Sequence, residues 1–410
     1  MSIDRLDSLK IEESIEEYAK TVRIESIRLT NYKFFHGEFE LPVNGENLLV
    51  YGENGSGKSS VYNALELLAE KRFTDFEKNI NIFAQDDEIL VEFVFSNGQE
   101  LIISSDLEEM PDHVDFISEL AIFKPMLDYK KLLSVHYASQ SGQDRINLFY
   151  MFRKMLDNYP VEQKGQKIIL AEIEDFNEYF KLLEGLLKKE FLKEINKYLE
   201  RYFKADFSID QFEFKTIIDK NLTAPIPTVN IVLDYKEHSI EQYHIFLNEA
   251  RLSALAISIY MISIKKLIET LKTNPLKILV LDDLLISLDM GNRLKLLEIL
   301  KNEFSDYQIF FFTHDKELYE IYKYKLNWKK YELYLDDHDD IPGVIMKQGR
   351  SEIERAKVFY AQKEYDACAL LLRKGFEKNI KNFLTPKEQR NQNCEELNLS
   401  NLNWSCNIKN

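Results

Sequence analysis

The stretch GENGSGKS, Gly52 to Ser59, holds the residues best suited to chemistry in this chain. It fits the phosphate-loop pattern G-x-x-x-x-G-K-[ST] in full, after an apolar strand and at the opening of a helix, the context the pattern needs. Glycines let successive backbone N–H groups turn inward on a phosphate where a side chain would collide. The positive end of the following helix adds to the attraction. Gly52, Asn54, Gly55, Gly57 and Lys58 are the expected phosphate cradle, with Ser60 beside them. Lys58 would reach the β and γ oxygens of a nucleoside triphosphate, and Ser59 would hold Mg²⁺. A second stretch, KILVLDD at Lys277 to Asp283, is four apolar residues ending in two carboxylates. A buried strand that stops in Asp beside a phosphate loop places an oxygen near that metal. Asp282 takes this role, and Asp283 sits where a base that activates water belongs.

These groups need a scaffold, and the rest of the pattern supplies one. Short β-type runs appear at VRIESIRLTNYKFF from Val22, GEFELP from Gly37 and ENLLVYG from Glu46. SSVYNALELLAEKRF then shows helical periodicity, with Val61, Leu65 and Leu68 on one face. EILVEFVF and ELIISS read as strands around the turn Ser96-Asn97-Gly98. From about Gln166 to Lys204 an amphipathic helix is expected, roughly 57 Å long at the α-helical rise. Its stripe is Phe176, Phe180, Leu183, Leu187, Phe191, Ile195, Tyr198 and Tyr202, and it reads most simply as core. A strand follows near Val229 to Tyr235, then a helix from Arg251 to about Leu271, the strand KILVLDD, a helix from Asn292 and the strand YQIFFFTHD. Alternating strands and helices argue an α/β fold with a parallel sheet. The expected organisation is an arm at 1–21, a β-rich lobe at 22–149, a short helical insertion at 150–228, a second lobe at 229–345 and a helical tail at 346–410. Seven asparagines crowd the last 20 residues, which read as disordered.

Composition narrows the class. A net charge of −16 argues against a chain that coats nucleic acid, because such affinity comes from Lys and Arg on phosphates. A local basic groove stays open, with 53 Lys and Arg to place. Cys368, Cys394 and Cys406 lack zinc spacing and suggest a reducing compartment. No apolar run is long enough to span a membrane, and Met1 to Lys20 is too charged for a signal peptide, so a cytoplasmic location is expected.

NGSGKS, LVLDD followed by SLD at Ser287 to Asp289, and FFFTHD at Phe310 to Asp315 resemble the Walker A, Walker B, D-loop and switch histidine of ABC ATPases. The opening IESIRLTNYKFF looks like the first strand of the SMC, RecF and RecN group. That resemblance covers about 22–100 and 229–320. It implies ATP with Mg²⁺, a homodimer or higher oligomer closing around nucleotide, His314 on the γ-phosphate, and Asp289 organising the partner's site. The signature segment is similar to FLNEARLSALAISIY, with Leu247, Asn248, Glu249, Ala250 and Arg251 where L-S-G-G-Q is usual. Asn248 still suits a helix cap, while Glu249 brings negative charge toward a phosphate. Recognition across the dimer would be weaker, or would rest on Asn248 and Arg251. Asp283 stands where the family carries Glu, which implies slow turnover. For the Q-loop, Gln140, Gln143 and Asp128 all remain open.

The LNEA-type signature with a double aspartate looks like anti-phage ATPases of the Septu and retron-associated PtuA type, the AriA type and the RloC type. Those work with a nuclease effector, so a nuclease subunit is the implied partner. A DNA-clamping repair ATPase of the RecF or RecN kind is the alternative. Roughly 190 positions separate Lys58 from Leu247, too few for long coiled-coil arms. No zinc hook occurs, and no His follows His338. Asp337 and Asp339 in DDHDD read as a solvated turn rather than a nuclease centre.

Overall fold

The computed structural model describes residues 21–384 except 71–72, 74–75, 85–86, 108, 118, 124, 129–133, 136–145, 164, 218–225, 272–275 and 285–289, and beyond 384 only 388–389 and 397. Residues 1–20 of the expected N-terminal arm, all of the asparagine-rich end but Leu397, and Gln140, Gln143 and Asp289 therefore lie outside the described residues. The chain divides into two units, Met1–Met346 and Lys347–Asn410.

In the first unit, β1 (Ile24–Thr30) lies between β2 (Glu38–Pro42) and β4 (Leu90–Phe95), and β4 pairs on with β5 (Glu100–Ile103), all antiparallel. Alternate residues point inward, among them Phe39, Leu41, Val91, Phe93, Leu101 and Ile103, so one face is core and the other is wet. The central sheet has six strands. Its order is β15 (Gly343–Gln348), β14 (Lys329–Asp336), β3 (Leu48–Gly52), β13 (Gln308–Thr313), β12 (Ile278–Asp282) and β6 (Met126–Asp128). From β14 to β6 the pairs are parallel. β3 and β13 are buried along their whole length, the mark of parallel strands covered on both faces. Gln308 ties the two sheets: its amide exchanges hydrogen bonds with the Ile24 backbone N–H at 2.7 Å and C=O at 2.8 Å.

Helix α1 (Lys58–Glu70) buries Val61, Leu65 and Leu68 on the expected face. After α2 (Phe149–Leu156) the chain departs from the expected short helical insertion. β7 (Pro160–Gln163) and β8 (Gln166–Ile169) form a hairpin through Gly165 at φ +81°, so residues 166–169 are strand. The long helix begins only at α3 (Phe176–Leu186), where Asp175 caps the Glu178 N–H at 2.7 Å. It runs through a π-turn at Leu187–Phe191 into α4 (Leu192–Tyr198) and a second π-turn at Leu199–Phe203. The helical stretch is about 42 Å at the α-helical rise, not 57 Å. The π-turn has a sequence cause. Leu183, Leu187, Phe191 and Ile195 are spaced four apart three times running, and each such step overshoots an α-helical turn by about 40°. A wider turn absorbs the drift, and all four side chains are fully buried.

β9 (Ser208–Ile217), β10 (Ile226–Tyr235) and β11 (His238–Ile240) form a third sheet in the order β11-β10-β9. Helix α5 (Glu249–Glu269) is buried nearly all round, which is why it lacks a polar face. Ser258 and Ser263 satisfy their hydroxyls on the Ala254 and Ile259 carbonyls, both at 2.8 Å. α6 (Met290–Glu303) and α7 (Lys316–Lys325) flank β13 in sequence. The DDHDD segment is an exposed bend, in keeping with a solvated turn. In the second unit, α8 (Glu352–Ala361) and α9 (Tyr365–Phe383) form a helical hairpin, with Ala356, Cys368 and Leu371 buried and Phe359 packed on them. Among the described residues no helix is long and apolar enough to cross a membrane.

Candidate functional site

Because β3, β13, β12 and β6 run parallel, their C-terminal ends share one edge. Register makes this concrete: Asp282 is level with Phe312 and with Asp128, and Thr313 with Tyr51. The glycine loop leaves β3 at that edge and re-enters α1 at Lys58. The loop turns through Gly55 at φ +81° and Gly57 at φ +90°, backbone that L side chains rarely adopt. Gly57 is also pinned by neighbours, since a Cβ there would sit 2.6 Å from Phe35 Cζ and 2.9 Å from Phe34 Cδ1. Gly57→Ala should therefore cost about 2–3 kcal/mol, combining positive-φ strain with overpacking. Thermal unfolding would show it, and an unshifted midpoint would mean that the Phe34–Phe35 loop yields.

Lys58 is buried beneath its own loop, only 6% exposed. Its ammonium donates to Gly52 O at 2.5 Å and Glu53 O at 3.1 Å. Burial pulls its pKa down, against the pull of Asp283, Asp282 and Glu53. Asn54, Gly55 and Ser59 are exposed at the mouth of the loop. Ser60 is buried, and its Oγ accepts the Phe34 N–H at 3.2 Å. Ser60, expected as a cofactor contact, also anchors the loop between β1 and β2. Ser56 carries a buried hydroxyl with no hydrogen-bond partner among the described residues.

Asp282 ends β12, and burial together with the Asp283 and Asp128 carboxylates pushes its pKa up to about 7, opposed by Lys58 and His314. Its Oδ1 is buried without a hydrogen-bond partner among the described residues. Asp283 turns the chain at φ +47°. Its Oδ1 accepts from the His314 backbone N–H at 2.9 Å and lies 2.8 Å from His314 Nδ1. An ionised carboxylate only accepts, so Nδ1 carries the proton and Nε2 is the nitrogen left to meet a ligand. The next residue, Asp315, caps α7 through the Leu318 N–H at 3.0 Å and pairs with Arg293 at 2.5 Å. Helices α6 and α7 thus hold the His314 turn in place.

The structure brings Lys58, Asp282, Asp283 and His314 to one edge, and it adds Asp128, which takes the Tyr62 hydroxyl at 3.4 Å. Asp128 was one of three open Q-loop candidates. The sequence did not place it beside Asp282, and Tyr62 and Phe35 likewise gave no signal beyond helix and strand periodicity. Asn248 and Arg251 do not join this cluster within the chain. Asn248 caps α5, accepting the Arg251 N–H at 3.0 Å, and Arg251 pairs with Asp206 at 2.5 Å.

Mg²⁺ fits what is present. Among the described residues no three His, Cys, Asp or Glu groups form a ready-made cage, and Mg²⁺ ordinarily takes one or two protein oxygens, keeping waters and substrate phosphates for the rest. The orphaned Asp282 oxygen and the exposed Ser59 hydroxyl suit that share.

No protein-family model and no curated protein matches the chain. Among solved structures it is similar to SMC head domains. One is an Smc head bound to the C-winged helix domain of ScpA, at 11% identity over 81% of this chain and 99% of that one, with a TM-score of 0.44. Another is the SMC head domain from Thermotoga maritima, at 12% over 79% and 98%, with a TM-score of 0.41. A third is an Smc head with an extended coiled coil bound to the C-terminal domain of ScpA, derived from Pyrococcus furiosus, at 10% over 84% and 100%, with a TM-score of 0.44. Identities this low leave the chemistry of the site to its own side chains.

Proposed function

We propose that this chain is an ATP-binding, slowly ATP-hydrolysing head of the SMC/RecF class that pairs with a second copy around nucleotide and works with a nuclease partner in anti-phage defence. One observation carries the ATPase reading: a complete glycine loop and its lysine open on the same sheet edge as Asp282, Asp283 and His314. Phosphate oxygens would replace the Gly52 and Glu53 carbonyls on Lys58, and the N–H groups at the start of α1 would add the helix field. Ser59 and Asp282 would hold Mg²⁺, which when bound neutralises charge on the phosphates. His314 holds one oxygen of Asp283, leaving Oδ2 to take a proton from water. Aspartate is one methylene shorter than the usual glutamate, which supports slow turnover. The defence reading rests on the LNEA segment and the double aspartate, and Asn248 and Arg251 would act toward the second copy's nucleotide.

Asp283→Asn tests the base. Asparagine tolerates the left-handed conformation that position 283 adopts, so the fold should hold. The expected variant binds ATP like the wild type, hydrolyses it at most about a hundredth as fast, and retains it through gel filtration with Mg²⁺. Lost nucleotide binding would make Asp283 a structural or metal-holding group. For the partner, the expected result is a nuclease gene adjoining this one whose product co-purifies with the full chain. Nanomolar ATP-dependent binding to duplex DNA ends would instead favour a repair clamp.

A further inference from the structure

Helix α9 has two apolar rows, and the hairpin uses only one. The first faces α8: Cys368 and Leu371 pack against Ala356 and Phe359, a Cβ on Gly375 would lie 3.2 Å from Ile353 Cγ1, and Lys378 pairs with Glu352 at 3.3 Å. The second row is Tyr365, Ala369, Leu372 and Phe376, spaced four, three and four. Its large members are 58%, 36% and 56% exposed, and Ala369 is exposed too. At the α-helical rotation the rows lie roughly 110° apart around the helix. A single exposed hydrophobe is ordinary, whereas a full row on one face marks a contact surface.

We propose that this row is the seam of a homodimer in which α9 packs antiparallel on α9 of a second copy. The four-three-four spacing is that of a coiled-coil seam. A twofold axis between positions 370 and 371 sets Tyr365 against Phe376 of the second copy, and Ala369 against Leu372. Rings then meet at both ends, and small meets large in the middle. The flanking charges select both occupant and direction. Asp366 and Arg373 border the row on the side away from α8, both exposed and neither ion-paired among the described residues. The same axis brings Asp366 of each copy beside Arg373 of the other, two opposite-charge contacts per dimer. A parallel pairing would place Asp366 and Arg373 of the two copies on opposite sides of the seam and forgo both contacts. Tyr360, 65% exposed and edge-on to Tyr365 at 5.8 Å, extends the patch. This pairing needs no nucleotide, and it would keep two ATPase units at high effective concentration.

Sedimentation equilibrium of the full chain without nucleotide tests the proposal. A dimer is expected at micromolar concentration, and Leu372→Asp should make it monomeric with unchanged helical circular dichroism. Asp366→Arg should raise the dimer dissociation constant about tenfold, because both cross-pairs become repulsive. Adding Arg373→Asp to that variant should restore the affinity to within about threefold of wild type, since the pairs re-form with reversed sign. Lys58→Ala should leave the nucleotide-free dimer intact, which separates this surface from the ATP site. A monomeric wild-type chain would overturn the proposal and leave the row to another partner. So would a dimer indifferent to Leu372→Asp, or a double charge reversal no better than the single one.

Discussion

Replacing Lys58 with alanine should leave a folded protein whose proposed ATP turnover falls at least about a thousandfold, the scale of losing a fixed positive charge aimed at a transferring phosphoryl group. Lys58 is the only lysine of the glycine loop, and it already points its ammonium at the loop's own carbonyls. Those bonds would hold it in place until phosphate oxygens took over. Stability should move by about 1 kcal/mol or less. Two hydrogen bonds are lost, but so is the cost of burying an ammonium, the same cost that lowers its pKa. Phosphate release and thermal unfolding measure the two effects. Wild-type turnover in the variant would remove Lys58, and the loop with it, from the site.

Asp282→Asn should abolish turnover and at the same time stabilise the nucleotide-free protein at alkaline pH. The Asp282 carboxyl has a folded pKa of about 7 against an ordinary 3.8. Between those values the folded state holds a proton that the unfolded chain has released, so stability falls as pH rises. Above pH 7 the full penalty of a buried carboxylate beside Asp283 and Asp128 applies, on the order of 2–4 kcal/mol. Asparagine removes that charge at nearly constant shape. The variant should melt higher than wild type at pH 8 and close to it at pH 4, where the wild-type group is protonated in any case. Mg²⁺ with ATP should raise the wild-type melting point most at pH 8, where Asp282 is an anion able to hold the metal, and the variant's much less. A variant less stable than wild type at pH 8 would mean that Asp282 serves the fold rather than the ligand.

The parts of the site that the sequence exposed are those where one local rule decides. GENGSGKS is legible because positive-φ glycines and a following lysine have few other uses, and ILVLDD because a doubly covered parallel strand reads as an unbroken apolar run. What stayed hidden depends on distant partners. Nothing local says that Phe35 lies over Gly57, or that Lys58 is buried before nucleotide arrives. Asp128 acquires meaning only from its register with Asp282. β9 was missed because SIDQFEFKTI mixes charges with apolar residues and buries few positions. The hairpin at Gly165 was absorbed into a helix whose apolar stripe truly begins ten residues later. The π-turn at Leu187–Phe191, by contrast, was present in the spacing as three consecutive steps of four.

A crystal structure of the full chain with the β,γ-imido analogue of ATP and Mg²⁺ measures directly where the triphosphate lies. The expected density has the phosphates within hydrogen-bonding distance of the backbone N–H groups of Gly55 to Ser59, with Lys58 Nζ on the β and γ oxygens. The metal should lie between Ser59 Oγ and Asp282, and His314 Nε2 should face the γ-phosphate. Nucleotide bound elsewhere, or a glycine loop left empty at saturating analogue with Lys58 still on Gly52 O, would contradict this placement.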